Sequence, residues 1–259
     1  MIELQDVCYS IGKKSILNSV SWKVYPGKLN LIVGPNGAGK STVIKLLAED
    51  VRPSSGAVLW DGKPIHQHKT PECYRGVLSQ QHNLQFPLTV KEVVELGRYP
   101  HQKQRSTQNS KKIIEESLMR FELLELANRN IQTLSGGEQQ RVHFARVWVQ
   151  MAEPITGSTK LLLVDEPTTY LDIHHQWKYM EWIAEQTKAN GWVTIGVLHD
   201  LPMVHQLADE VLLLNQGMKQ LEGPSDAVLN AETLREYFQV NAKAEGGGLN
   251  VIGVSERQP

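Results

Sequence analysis

The chain has 259 residues, 41% of them hydrophobic, enough for one large domain or two small ones around a real core. Its 27 basic and 28 acidic side chains leave a formal net charge of −1, which excludes a bulk basic field that would draw it to nucleic acid or anionic lipid. Any phosphate chemistry must therefore be local.

Residues 2–7 and 20–24 alternate like strands, and "LNLIVG" at 29–34 is a continuous apolar run ending in glycine, the pattern of a strand buried on both faces. Two cysteines, Cys8 and Cys73, without metal-ligand spacing read as unpaired buried thiols in a reducing compartment. "KSTVIKLLAED" predicts a helix, and "RPSSGAVLWDGKPI" a turn, a strand and an Asp61-Gly62 hairpin signal. "RGVLSQ" at 75–80 is a further short strand. From 87 to 151 strands vanish and helical periodicity takes over, in "TVKEVVELG", "SKKIIEESLMRFELLEL" and "GGEQQRVHFARVWVQM". Strands resume at 160–167, 191–200 and 209–217, with a helix over "HHQWKYMEWIAEQTKANG" between the first two. Buried strands alternating with helices predict a mainly parallel α/β sheet carrying a helical insertion. "AEGGG" at 244–248 predicts a loosely held tail. The start "MIELQDVCYS" has no basic stretch leading into an apolar one, and no run approaches the roughly 18 apolar residues of a membrane span, so a cytoplasmic chain is expected.

Gly34, Gly39, Lys40 and Ser41 fit G-x-x-x-x-G-K-[ST] between a predicted strand and a predicted helix, the context this phosphate-binding loop demands. Backbone N–H groups of "GPNGAGKST" (Gly34, Pro35, Asn36, Gly37, Ala38, Gly39, Lys40, Ser41, Thr42) can wrap the phosphates of ATP. Lys40 reaches the β- and γ-phosphates and Ser41 can ligate Mg²⁺. The apolar run "LLLVDEP" delivers Asp165 to the end of a strand, where an acid can hold Mg²⁺. Glu166, one residue on, points elsewhere and can orient or deprotonate a water attacking the γ-phosphate. Adjacent acids after a strand also serve as plain helix caps; their pairing with the loop favours the catalytic reading.

A second glycine-rich helix start, "LSGGEQQR" at 134–141, comes a hundred residues later. Gly34 to Ser41, Leu134 to Arg141, Leu161 to Glu166 and His199, in that order and across nearly the whole chain, resemble the ATPase subunits of ABC transporters. The resemblance implies a P-loop NTPase fold of ABC type: a mainly parallel core sheet, an antiparallel β subdomain and an inserted helical subdomain. It implies a nucleotide-binding core at 1–86 and 152–240, a helical subdomain at 87–151 and a C-terminal extension at 241–259. In that family two ATPases form a head-to-tail sandwich, and Ser135, Gly136 and Gly137 would contact the γ-phosphate of ATP held by the other subunit's loop. Ser135 and Glu138 also have the S-x-x-E spacing of a capping box, and the two readings are compatible.

The resemblance carries further residues one at a time. Tyr9 matches the aromatic that stacks on adenine. Gln80 matches the glutamine that joins core to helical insertion, contacts the metal and water, and senses the membrane partner; Gln81 beside it leaves the register open. His199 in "VLHD" matches the histidine that bonds the γ-phosphate, and Asp172 in "TTYLD" the acid that couples the two sites. The chain departs from the usual "TSALD" at Thr169 and Tyr170, and it carries a surplus Pro/Gly/Ser/Thr stretch, "EPITGSTK" at 153–160, read as a surface loop.

"FPLTVKEVVELGRYPH" at 86–101 resembles ATPases of iron-siderophore, haem and cobalamin importers, and the stretch around 153–176 is most similar to the haem group. This narrower resemblance implies a subunit that energises haem import from the cytoplasmic face of the bacterial inner membrane. It would be partnered by a second copy of itself, by two separate permease subunits and, indirectly, by a periplasmic binding protein. Iron-siderophore or cobalamin import is the alternative cargo reading, and a soluble ATPase acting on nucleic acid or ribosomes the alternative class. No nucleic-acid partner is expected. The pairs His66/His68 and His174/His175 are read as caps or solvated side chains rather than haem ligands, and Trp177, Trp182 and Trp192 as packing residues.

Overall fold

Two strands, β1 (Ile2–Ile11) and β2 (Lys14–Val24), open the chain as an antiparallel pair. They run further than alternation predicts because bulges interrupt the period of two, one of them at Asp6, where φ is 46°. The computed structural model describes residues 1–79, 86–101, 107–153, 158–245 and 248–255. The apolar run after the hairpin is β3 (Lys28–Val33), followed by α1 (Lys40–Ala48), β4 (Ser55–Trp60), β5 (Lys63–Pro64) and β6 (Arg75–Leu78). The helical stretch holds α2 (Val90–Leu96), α3 (Thr107–Arg120) and α4 (Gly136–Met151). Then come β7 (Leu161–Asp165), α5 (Ile173–Asn190), β8 (Val193–Val197), α6 (Leu201–Leu207), β9 (Glu210–Asn215) and β10 (Met218–Gly223). The chain closes with α7 (Ser225–Val228), α8 (Ala231–Phe238), β11 (Val240–Glu245) and β12 (Gly248–Val254).

A six-stranded sheet of order β10-β9-β3-β8-β7-β6 is parallel at every pairing except β10 with β9. A separate antiparallel sheet has the order β2-β1-β4-β5. The two faces of the large sheet feed two different cores, and side-chain alternation decides which residue goes where. In β7, Leu162 and Val164 join the core beneath the helical stretch, while Leu161 and Leu163 join the core shared with α1 and the antiparallel sheet. β9 divides the same way, Val211 and Leu213 against Leu212 and Leu214. A strand buried on both faces reads as a continuous apolar run for this reason.

Two sequence expectations change. Helical periodicity over 110–126 predicts one helix, but α3 stops at Arg120 and the chain turns at Glu122 with φ 56°, so that Phe121 and Leu123 both enter the core. The expected loose tail is instead two paired strands, β11 with β12, whose Ala242 and Leu249 are buried in the main core. The centre of the expected surface loop, residues 154–157, lies outside the described residues. Trp192 is buried and Trp177 and Trp182 pack against the same core, while Cys8 and Cys73 are free thiols, Cys73 buried and Cys8 only partly so. Among the described residues no helix is long and apolar enough to cross a membrane.

Candidate functional site

Parallel pairing of β3, β8 and β7 sets their C-terminal ends side by side, the edge at which open α/β sheets place ligands. From β3 the chain turns through Gly34 at φ 146°, where a Cβ would stand 2.0 Å from the Leu214 carbonyl oxygen; only glycine fits. Asn36 and Gly37 are exposed and Ala38 is buried. Lys40, 6% exposed, donates from Nζ to the carbonyl oxygens of Gly34 at 2.8 Å and Pro35 at 3.0 Å, curling the loop around its ammonium. Burial lowers the Lys40 pKa below the usual lysine value, against the pull of Glu166 and Asp165. The helix after this loop starts at Gly39 without a side-chain cap and without an acid in its first turn. By contrast α2, α4, α5, α6 and α8 are capped by Thr89, Ser135, Asp172, Asp200 and Asn230. The free N–H groups of α1, beside Lys40, are suited to an external anion such as a phosphate.

Asp165 ends β7 and accepts from Ser41 Oγ at 3.3 Å; burial raises its carboxyl above the usual range. This hydroxyl and carboxylate are a donor set that fits Mg²⁺, which takes oxygen ligands and retains several waters. Glu166 turns away at φ 48°. Its N–H donates to Val197 O at 3.0 Å, its carbonyl accepts from Thr169 Oγ1 at 3.0 Å, and its Oε1 lies 2.6 Å from His199 Nε2. Glu166 and His199 thus hold each other on the edge where Gly34 and Asp165 stand.

The second glycine-rich start is built differently. Ser135 and Glu138 form the full capping box: Ser135 Oγ accepts from Glu138 N at 3.3 Å, and Glu138 Oε2 accepts from Ser135 N and Oγ, each at 2.8 Å. Those bonds hold the Glu138 carboxyl below its ordinary pKa. Gly136 and Gly137 lie against Tyr170, whose carbonyl oxygen would be 2.9 Å from a Cβ at Gly137. Asp172 caps α5 through the His175 N–H at 3.0 Å and meets His175 Nδ1 at 2.7 Å, which lowers its pKa. Ser135, Gly136, Gly137, Tyr170, Asp172 and His175 line one cleft of about 410 Å³. Among the described residues, no hydrogen bond joins 34–42 to 135–137.

Tyr9 is half-buried on β1 against the core of the antiparallel sheet. Gln80 and Gln81 lie outside the described residues. His68 stacks on Trp60 with ring centroids 4.6 Å apart, and its Nε2 lies 2.8 Å from Trp60 O; this is packing, not a free ligand. Two features escape a reading of the sequence alone. Gln140, 4% exposed, donates from Nε2 to Pro167 O at 2.7 Å, tying α4 to the segment after Glu166. Its one signal is a glutamine on the apolar stripe that continues through Phe144 and Val147. Arg98 and Glu153 form a buried ion pair at 2.6 Å, with Asn109 donating to the same carboxylate at 3.0 Å.

The ABC transporter family model matches residues 17–169. The hemin import ATP-binding protein HmuV of Rhodopseudomonas palustris (strain BisA53) is 38% identical over 92% of this chain and 88% of its own length. The like-named protein of Bradyrhizobium diazoefficiens is also 38% identical, over 93% of this chain and 90% of its own. Among solved structures, a dimeric ATP-binding cassette in a post-hydrolysis state with ADP and Pi bound is 28% identical, covers 87% of this chain and 99% of its own, and superposes with TM-score 0.75. CbiO1 from Clostridium perfringens, part of an ABC transporter complex, is 26% identical over 90% of this chain and 92% of its own, with TM-score 0.74. With a family match over more than half its length and relatives of this identity across nine-tenths of it, the chain belongs to the ABC transporter ATPases.

Proposed function

We propose that this chain is the ATP-hydrolysing subunit of a haem importer, working as a head-to-tail dimer beneath a separate permease at the cytoplasmic face of the bacterial inner membrane. The observation that carries the ATPase reading is the single sheet edge that holds the uncapped α1 start, buried Lys40, Asp165 with Ser41, and Glu166 with His199. Similarity to proteins named for hemin import supports the cargo.

In this reading the N–H groups of residues 34–42 cradle the phosphates, and Lys40 leaves the Gly34 and Pro35 carbonyls to meet the β- and γ-oxygens. Tyr9 takes the adenine. Ser41 and Asp165, with Gln80, would hold Mg²⁺, which when bound neutralises charge on the β- and γ-phosphates. Glu166 accepts the proton of the attacking water, and His199 holds that carboxylate in place before it bonds the γ-phosphate. Ser135, Gly136 and Gly137 belong to the partner's nucleotide, since among the described residues of one chain they make no hydrogen bond to the loop; Asp172 stands beside them in the same cleft. A periplasmic binding protein delivers the cargo to the permease.

The test is the chain reconstituted with its permease in vesicles, with ATP turnover measured against haem, ferric siderophore and cobalamin presented by their binding proteins. Haem alone should accelerate turnover, and Glu166→Gln should bind ATP with parental affinity yet stall. Stimulation by siderophore or cobalamin instead would replace the cargo; parental turnover by Glu166→Gln would remove Glu166 as base.

A further inference from the structure

A buried carbonyl needs a donor, from the backbone or from a side chain packed on it. Pro167 O is met by the Gln140 side chain at 2.7 Å, out of contact with solvent. Gln140 stands one helical turn beyond Gly136, so it shares a face with the glycine that rests on Tyr170. The start of α4 is therefore fastened to residues 167–170 at two points: the Gln140 amide at Pro167, and the close approach of Gly136 and Gly137 to Tyr170.

The same segment begins with Glu166, whose backbone is already unusual. Its φ is 48°, a conformation that L-residues hold only when neighbours enforce it. Val197 O takes its N–H, the Thr169 hydroxyl donates to its carbonyl, and the next carbonyl along is fixed by Gln140. Of these fastenings only Gln140 comes from the helix that begins at Ser135.

We propose that Gln140 is a positioning residue for hydrolysis: it transmits the seating of Ser135–Gly137 on one nucleotide to the Glu166 carboxylate that serves the other. Resting on the sandwich reading above, it makes each chain a rigid link between the two composite sites. A displacement of α4 towards a partner's γ-phosphate pulls on Pro167 and sets the reach of Glu166. Gln140, 4% exposed, acts through the Pro167 carbonyl alone in this reading.

The experiment uses the full chain with its permease and compares Gln140→Leu and Gln140→Glu in the parent and in Glu166→Gln. Gln140→Leu should lower kcat by up to about 100-fold, the scale expected of a catalytic group misplaced by an ångström, with KM for ATP changed by less than about threefold. In Glu166→Gln the same change should leave the residual turnover within about twofold, because the group it positions is already gone. Gln140→Glu, of the same length, should be impaired when ionised and recover as the pH falls and its carboxyl O–H can donate to Pro167 O, while the parent shows no such recovery. A purely structural Gln140 predicts something else: a lower Tm with kcat intact, or an equal fold-loss with and without the Glu166 carboxylate. Either result overturns the proposal. Should Glu166→Gln alone turn over at the parental rate, the reading of Glu166 beneath it falls first and takes the proposal with it.

Discussion

Lys40→Ala isolates the electrostatic part of nucleotide binding. The ammonium is buried and spends its hydrogen bonds on two carbonyls of its own loop, so its value to ATP is the net of exchanging those for phosphate oxygens. Hydrogen bonds to charged groups are worth about 1.5–3 kcal/mol net, which raises Kd roughly 10- to 150-fold when the group is removed. ATP at a hundred times the parent's Kd stabilises the parent by about 2.7 kcal/mol; at that same concentration the variant gains only about 0.3–1.4 kcal/mol. At roughly 2–4 °C per kcal/mol for a chain of this size, the ATP-induced rise in Tm should shrink from about 5–11 °C to about 1–6 °C. Thermal unfolding with and without Mg-ATP measures this directly. An equal rise in both proteins would refute the assignment of residues 34–42 as the phosphate cradle.

Ser135→Arg should leave ATP binding by the isolated chain intact but block hydrolysis. Mixed with Lys40→Ala it should regain part of the turnover, because one composite site of the mixed dimer stays whole; loss of ATP binding by the folded Ser135→Arg monomer would end the trans reading. Glu138 is held below its ordinary 4.5 by the Ser135 N–H, so its depressed folded pKa makes the capping contribution complete above about that value and lost as pH falls through the native one. Thermal stability of the parent should therefore fall relative to Glu138→Gln between pH 5 and pH 3, and parallel curves would contradict the box. Glu153→Ala strips a buried Arg98 guanidinium of its carboxylate and should cost about 3–5 kcal/mol in urea unfolding, most of it recovered by Arg98→Met with Glu153→Leu. A cost under about 1 kcal/mol would show the pair to be solvated.

That residues 34–42, Asp165, Glu166 and His199 meet on one sheet edge is legible in the sequence, because the proposed phosphate chemistry constrains spacing tightly: a loop of fixed length, an acid at a strand end, a histidine after the next strand. The large sheet is legible for a related reason, since strands buried on both faces cannot conceal an apolar run. What stays hidden depends on contacts distant in sequence. Nothing near Glu122 announces a left-handed turn, because its cause is the burial of Phe121 and Leu123 on either side. The glycine-rich letters of the tail are also those of a flexible linker, and only the burial of Ala242 and Leu249 in the main core marks the flanking residues as paired strands. Gln140 sits inside a recognisable motif, yet its partner, Pro167, is fixed only by the packing of α4 on the segment after β7.

Glu153 and Lys160 meet within a single knot of charge. Arg98 and Asn109 grip Glu153, while Lys160 Nζ donates to the carbonyls of Met151 and Glu153 and lies 5.8 Å from the centre of the Trp192 ring. Lys160 is thereby fastened to the end of α4. β7 starts at the next residue, Leu161, and carries Asp165, so its start is registered on the end of α4. Whatever shifts the end of α4 is accordingly felt at the start of the strand that carries Asp165.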